Sequence, residues 1–242
     1  MWIFCVLFLI DLVVACLYAR ESYPKVDVKA FWLKMLASAV FVLNGALAYI
    51  QSTKGIYGKL IITALVFGMV GDALLSLEPY IRKNNNKRRN QMIATVIGAA
   101  FFLFGHIFYI VAFVKEIRII GAFRLPVFLG VWLAGVAVGV IAMFTLKLKL
   151  GKLGIAMGVY MLGLCAMGAI SINLSLFGYK GNIPLQLILV VAPLLFMISD
   201  ASLGLKFADE KRFSTAKSRF LTLLTYYPAQ MLFGLSILMI NK

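Results

Sequence analysis

Long apolar stretches separated by short polar segments run along the whole chain. Eight of them reach or approach the about 20 residues that a helix needs to cross a bilayer core of about 30 Å. They predict membrane helices at these approximate positions: 2–18, 31–50, 57–77, 92–114, 125–146, 153–173, 183–205 and 220–240. The pattern predicts an all-α polytopic membrane helix bundle, with residues 1–242 forming a single integral membrane domain. The polar segment 82–90 is predicted as a loop.

The first apolar stretch is short and has two interpretations. A cleaved signal peptide begins with a basic segment, followed by an apolar core of about 7–15 residues. Here the chain begins Met-Trp-Ile-Phe without a basic residue, and Asp11 interrupts the apolar core. We therefore expect a retained helix rather than a signal peptide.

The composition indicates that lipid surrounds much of the chain. The sequence is 63% hydrophobic and 14% charged, whereas soluble domains average about 45–50% apolar and about 25% charged residues. So few polar residues cannot cover a water-exposed surface around this apolar content. Cys5, Cys16 and Cys165 are odd in number and lie in apolar stretches. We expect them to be inert thiols in membrane helices rather than a disulfide framework.

The formal net charge of +15 raises the question of a nucleic-acid partner. The 24 Lys and Arg residues flank the apolar stretches instead of forming a basic domain, so no nucleic-acid partner is expected. Seventeen of them follow the first, third, fifth and seventh stretches, and seven lie on the opposite side. Because cytosolic loops carry the excess of Lys and Arg, both termini are predicted to be non-cytosolic.

Three carboxylates and the single histidine fall inside predicted helices: Asp11, Asp72, Asp200 and His106. A carboxylate in hydrocarbon costs about 2.5–3.5 kcal/mol on insertion scales, so it normally faces a cavity or a polar partner. Asp72 and Asp200 each precede the cytosolic end of their helix by about five residues, or about 8 Å. We therefore expect these two in one layer, with Asp11 as a weaker candidate.

Small residues precede both favoured carboxylates, as Gly71-Asp72 and Ser199-Asp200. Small side chains let membrane helices approach closely. Pro193 is predicted to kink the seventh helix shortly before Ser199, which would free backbone groups near the carboxylates. Two interpretations stay open at this point. Each Asp either lines a functional cavity or bonds a Ser, Tyr or Asn of a neighbouring helix as a structural contact.

His106 and Tyr109 share a helical face because they are three residues apart. Counted from the cytosolic end, His106 lies about 20 Å deep, which places it away from the carboxylate layer unless the helix tilts or kinks. One histidine and three dispersed cysteines supply no recognised zinc spacing. A Gly-x-Ser-x-Gly elbow and a phosphate-binding glycine loop are also missing from the sequence. We expect no metal and no cofactor.

Other polar residues lie near the helix ends. Lys34 either extends its amine to the interface or contacts a lipid phosphate. In the last helix, Tyr226, Tyr227 and Gln230 lie within one turn and a half around a proline. They are either part of an aromatic belt at the interface or part of a binding site.

Four motifs together resemble the YhhN-like lysoplasmalogenase family. They are Gly71-Asp72-Ala-Leu-Leu, Gly105-His106-Ile-Phe-Tyr109, Ala192-Pro-Leu-Leu-Phe-Met-Ile-Ser199-Asp200 and Tyr226-Tyr227-Pro-Ala-Gln230. The resemblance extends from Lys34 to the last helix. It departs at Met35, where we would expect a proline-bearing segment, and this affects the expected local shape of the second helix.

The resemblance implies a multi-pass membrane hydrolase without metal. Its implied reaction is cleavage of the vinyl ether bond of lysoplasmalogens to a fatty aldehyde and glycerophosphocholine or glycerophosphoethanolamine. It also implies the endoplasmic reticulum membrane in a eukaryote, or the inner membrane in a bacterium. The implied partners are the lysophospholipid substrate and membrane lipid, and a homodimer is left open.

Vinyl ether hydrolysis matches a pair of carboxylates. Protonation of the β-carbon forms an oxocarbenium ion that water captures, so the reaction needs a proton donor and an ionised carboxylate, as in glycoside hydrolysis. We assign Asp72 and Asp200 to these roles without deciding which is the acid, and His106 to orienting water or a carboxyl. The substrate contacts assigned are Lys34 to the headgroup phosphate, with Tyr109, Ser199, Tyr226, Tyr227 and Gln230.

Two alternatives remain from the residues alone. In a transporter or lipid-binding membrane protein, the same Asp and His side chains would relay protons or hold an ion. A structural or regulatory membrane subunit would tolerate Asn at both Asp positions.

Overall fold

The structure, a computed structural model, describes residues 2–21, 28–53, 55–85, 88–148 and 154–240. Within 78–85, within 88–92 and at 94, it describes the backbone alone. These residues form nine helices and no strand. The helices are α1 (Trp2–Glu21), α2 (Val28–Ile50), α3 (Ile56–Asn85), α4 (Arg88–Ile120), α5 (Leu125–Thr145), α6 (Gly154–Gly178), α7 (Ile183–Ala208), α8 (Glu210–Phe213) and α9 (Ala216–Ile240).

All helices except α8 are long and apolar enough to cross a membrane. The predicted all-α bundle with eight spans is therefore confirmed. The predicted loop at 82–90 is wrong over most of its length, because 82–85 extend α3 and 88–90 begin α4, while 86–87 lie outside the described residues. Hydropathy detects the hydrocarbon-embedded part of a helix, and polar turns beyond the bilayer do not contribute to that signal. The chain ends, 1 and 241–242, also lie outside the described residues.

The last helix, α9, lies at the centre of the bundle. It packs against α1, α2, α3 and α7, and α3 and α4 form a closely packed pair beside it. By contrast, α5 packs on α6 and has no buried residue. The polar residues buried around α9 are therefore shielded from lipid by other helices.

Helices α2 and α9 approach closely at Gly45 and Gly234. A Cβ atom on Gly234 would lie 2.5 Å from Asn44 Nδ2 and 3.2 Å from the Gly45 Cα. The Asn44 side chain donates a hydrogen bond of 2.9 Å to the Met231 carbonyl. Small residues thus bring the two backbones together, and a buried amide links them.

Helix α7 continues through Pro193 from Ile183 to Ala208. A proline has no N–H, so the carbonyl four residues earlier, that of Leu189, loses its helical donor. The Ser171 hydroxyl of α6 donates a hydrogen bond of 2.6 Å to this carbonyl. The group freed by the proline is therefore satisfied by a neighbouring helix, as membrane helices require.

Replacing Ser171 by Ala is expected to destabilise the protein by about 1 kcal/mol, because it removes the donor to a buried carbonyl. Thermal unfolding in detergent would measure the change. In a Pro193→Ala background a backbone N–H is available for Leu189, so Ser171→Ala should cost less there. An equal cost in both backgrounds would contradict the assigned role of Ser171.

Candidate functional site

A cavity of about 120 Å³ opens at the end of the bundle where α7 ends and α9 begins. The distribution of Lys and Arg predicts that this end faces the cytosol. Asp72 of α3 and Asp200 of α7 both line it. So do Lys34, Ser199 and Tyr226. Two carboxylates distant in sequence thus share one small space.

Asp72 is bound by two residues of α2. Lys34 Nζ lies 3.1 Å from Asp72 Oδ1, and the Ser38 hydroxyl donates a hydrogen bond of 2.7 Å to Asp72 Oδ2. Lys34 and Ser38 are four residues apart, which places them on one face of α2. The side chains of Lys34 and Asp72 are only 11% and 4% exposed. This is a buried ion pair with an additional hydrogen bond, a combination that offsets the cost of removing charges from water.

The ion pair contradicts the interpretation that Lys34 extends to the interface, while its contact to a lipid phosphate stays a prediction. Its amine does not extend to the interface, because it lies against Asp72 inside the bundle. Its charge is also engaged by that carboxylate rather than left to a phosphate alone. The sequence signal was misleading because Lys34 lies close to a helix end, whereas its direction is set by the carboxylate of α3. The departure at Met35 does not interrupt the second helix, which continues from Val28 to Ile50.

Asp200 has different neighbours. The Tyr160 hydroxyl of α6 donates a short hydrogen bond to Asp200 Oδ2, and His106 Nε2 lies 3.7 Å from the same oxygen. The His106 ring is held edge-on between Tyr160 and Phe196, with centroids 5.4 and 4.9 Å away. Neither ring nitrogen has a hydrogen-bond partner among the described residues. His106 therefore lies behind Asp200 rather than in the cavity wall.

The expectation that His106 lies far from the carboxylate layer is wrong. Because α7 continues to Ala208, Asp200 lies about 12 Å from the helix end instead of about 8 Å. The apolar span of α4 begins at Thr95, so His106 lies about 16 Å into that span instead of about 20 Å. The side chains of His106 and Asp200 span the remaining difference in depth.

A chain of hydrogen bonds supports Tyr226 from behind. The Tyr109 hydroxyl donates to Gln230 Oε1 at 2.6 Å, and Gln230 Nε2 donates to the Tyr226 hydroxyl at 3.2 Å. Gly68 of α3 makes room for this contact, since a Cβ there would lie 2.6 Å from Gln230 Nε2. Tyr226 lines the cavity together with Asp72. The polar chain thus ends at a residue in the cavity wall.

Several predicted site residues do not line this cavity. Tyr109 and Gln230 lie behind Tyr226, and Tyr227 packs on Phe41 with its hydroxyl unbonded among the described residues. Asp11 is buried in α1, away from the cavity wall. Neighbouring side chains of a helix point in different directions, so one helical segment cannot direct all its polar groups into the same cavity.

Sequence reasoning missed other residues of the site. Ser38 carried a signal, because it is one helical turn from Lys34 in an apolar helix. Tyr160 carried none, because tyrosines are common in membrane helices. Lys206 and Arg219 also line the cavity. Because both lie near helix ends, the sequence indicates only that they orient the chain.

In the described part of the chain, His, Cys, Asp and Glu residues nowhere form a group of three or more that could hold a metal ion. Cys5 and Cys16 are exposed on the bundle surface, Cys165 is buried, and all three are free thiols.

A model of the YhhN family matches residues 28–237, which include the whole cavity wall except Tyr18. Comparisons with curated proteins and with solved structures each found no match.

Proposed function

The chain belongs to the YhhN family, which contains lysoplasmalogenases, and from that premise we propose that it hydrolyses the vinyl ether bond of lysoplasmalogens. The products are a fatty aldehyde and a glycerophosphodiester with a choline or ethanolamine headgroup. The observation that supports this proposal most is the cavity shared by Asp72 and Asp200. Asp72 has a lysine beside it and Asp200 has a tyrosine and a histidine, and this difference in surroundings suits a base and an acid.

Asp72 is the carboxylate that has a cation beside it. It is paired with the Lys34 amine at 3.1 Å and accepts a hydrogen bond from Ser38 at 2.7 Å. Asp200 also accepts a hydrogen bond from a hydroxyl group, that of Tyr160, so the Lys34 amine is the feature that distinguishes Asp72. We therefore assign Asp72 as the base that removes a proton from the attacking water.

Asp200 is suited to deliver the proton. In the described part of the chain, the basic group beside it is His106, at 3.7 Å, in place of a lysine. The Tyr160 hydroxyl occupies Oδ2, which leaves Oδ1 to carry a proton towards the cavity. Differing surroundings of two carboxyl groups separate acid from base in hydrolases that pass through an oxocarbenium ion.

The reaction then proceeds in balanced steps. Asp200 transfers its proton to the β-carbon of the vinyl ether, and the ether carbon becomes an oxocarbenium ion. Water adds to that carbon as Asp72 accepts the water proton, giving a hemiacetal. In the collapse of the hemiacetal, its hydroxyl proton passes through water to the glycerol oxygen, which leaves as a hydroxyl, and the aldehyde is released. Proton exchange with water restores both carboxyl groups.

Part of the cavity wall is apolar. Leu75, Phe102, Leu203, Phe207 and Leu223 belong to this part. A cavity of about 120 Å³ is too small for the long alkyl chain of the substrate. The chain would therefore extend between helices into the surrounding lipid, where its transfer costs little.

Purified protein in detergent is expected to release fatty aldehyde from a choline lysoplasmalogen. The saturated 1-O-alkyl analogue should stay intact, because it has no carbon–carbon double bond to protonate. In D₂O the aldehyde should carry one deuterium on the carbon next to the carbonyl. The rate should show a bell-shaped pH dependence, as an acid and a base acting together produce. Gas chromatography with mass spectrometry measures product and label.

A folded sample that binds lysophospholipid but releases no aldehyde would contradict the proposal. Proton-coupled lipid or solute uptake by the same protein in proteoliposomes would then favour the transporter alternative. Aldehyde without deuterium at that carbon would contradict the carbon-protonation step while preserving the hydrolase assignment.

A further inference from the structure

The cavity contains a second polar cluster, nearer its mouth than the carboxylates. Lys206 of α7 lies six residues beyond Asp200, and Arg219 of α9 lies seven residues before Tyr226, so both are displaced by about 9–10 Å towards the helix ends. Both side chains line the cavity and are partly buried. Two cations from different helices thus line the same cavity, close to the ends of their helices.

Hydroxyl groups accompany these cations. The Thr222 hydroxyl donates to Ser202 Oγ at 3.0 Å, and the hydroxyls of Ser202 and Ser218 lie 3.1 Å apart. All three residues line the cavity. We call Lys206, Arg219, Ser202, Ser218 and Thr222 the entrance cluster. It combines positive charge with adaptable hydroxyl donors, the groups that proteins use to bind phosphate oxygens.

The two basic side chains of the entrance cluster give this part of the cavity a positive potential. The Lys34 charge is matched by Asp72 at 3.1 Å, so it does not need a further anion. A negative group bound at the entrance would be attracted by Lys206 and Arg219, whereas a neutral ligand would not.

We propose that the entrance cluster binds the phosphodiester of the lysophospholipid headgroup. This inference rests on the proposed function, because it names the part of the same substrate that the entrance holds. The phosphodiester is joined to the vinyl ether by the glycerol carbons. An offset of about 9 Å along the helix axis lets the cations reach the phosphate oxygens while the ether lies between Asp72 and Asp200. The entrance cluster replaces Lys34 as the predicted phosphate contact.

The consequence is discrimination by headgroup charge. A lysophospholipid should bind better than a neutral 1-O-alkylglycerol with the same chain, since only the former presents an anion to Lys206 and Arg219. Each charge-assisted contact to phosphate contributes about tenfold or more in affinity. The preference should therefore depend on these two side chains and not on the surface charge in general.

The test measures binding of saturated 1-O-alkyl lysophosphatidylcholine and of 1-O-alkylglycerol to the full chain in a neutral detergent. Lys206→Gln and Arg219→Gln should each weaken lysophospholipid binding about tenfold or more and leave alkylglycerol binding unchanged. The matched controls are Lys211→Gln and Lys217→Gln, which remove the same charge from exposed positions nearby that do not line the cavity. They should change neither affinity.

Three results would overturn the proposal. One is equal binding of the two lipids by the wild-type chain, which decides the question even if the variants fold poorly. Another is an equal loss in the control variants, which would indicate general surface attraction. The third is displacement of the lysophospholipid by millimolar inorganic phosphate, which would assign the entrance to free phosphate. Because both lipids are saturated and binding is the readout, the result is independent of whether the protein hydrolyses vinyl ethers.

Discussion

Asp200→Asn and Asp72→Asn are each expected to lower kcat for aldehyde release by about 10²–10⁴-fold, the range typical of a lost general acid or base. Asn preserves the size of the side chain but cannot carry the transferred proton. Lysophospholipid binding should change much less than kcat, since the amide can still form part of the cavity wall. Single-turnover kinetics together with a binding measurement would separate the two effects.

Asp11→Asn provides the matched control. Asp11 is also a buried carboxylate within a membrane helix, but it does not line the cavity. Its replacement should leave kcat close to that of the wild-type chain. If Asp72→Asn or Asp200→Asn behaved like Asp11→Asn, that residue would be a structural contact between helices. Equal inactivation by all three substitutions would indicate that loss of any buried carboxylate disturbs the fold.

Lys34→Met is expected to destabilise the protein by about 3–5 kcal/mol, because it leaves the buried Asp72 carboxylate without its cation. Met retains most of the side-chain volume, so the loss of packing is small. In an Asp72→Asn background no carboxylate remains to be compensated, and the same substitution should cost far less. Unfolding of the four variants of this double-mutant cycle in detergent gives the coupling free energy.

The outcome of this cycle also distinguishes two roles for Lys34. A lysine that serves chiefly to bind the headgroup phosphate would show little coupling to Asp72, and Lys34→Met would raise KM for lysophospholipid without lowering stability. A lysine that compensates Asp72 shows strong coupling in the unfolding free energy. The distance of 3.1 Å between the two charges leads us to expect the second result.

The candidate carboxylates were detectable from the sequence because hydrocarbon makes them costly. Polar residues on a soluble protein are too common to indicate a site, whereas an aspartate within an apolar helix requires a cavity or a partner. Asp72, Asp200 and Asp11 all meet this condition, but Asp11 does not line the cavity. The cost of a buried carboxylate depends on its own helix and lipid, whereas the packing of several helices decides which carboxylates face one another.

The entrance cluster shows the opposite case. Lys206 and Arg219 lie near helix ends, where basic residues are inexpensive and serve to orient the chain. Their sequence positions therefore carry no information about a site. Only the packing of α7 against α9 shows that they line the same cavity.

The amino-acid sequence is sufficient to show that the chain is surrounded by lipid and that it is helical. Apolar stretches of sufficient length must form helices in lipid, because backbone groups there have no water to bind. The described residues contain eight such helices. The tertiary structure alone decided which polar side chains meet: Lys34 with Asp72, Tyr160 and His106 with Asp200, and Gln230 with Tyr226. Helix periodicity sets the direction of a side chain within its own helix, but the rotation and depth of each helix depend on its neighbours.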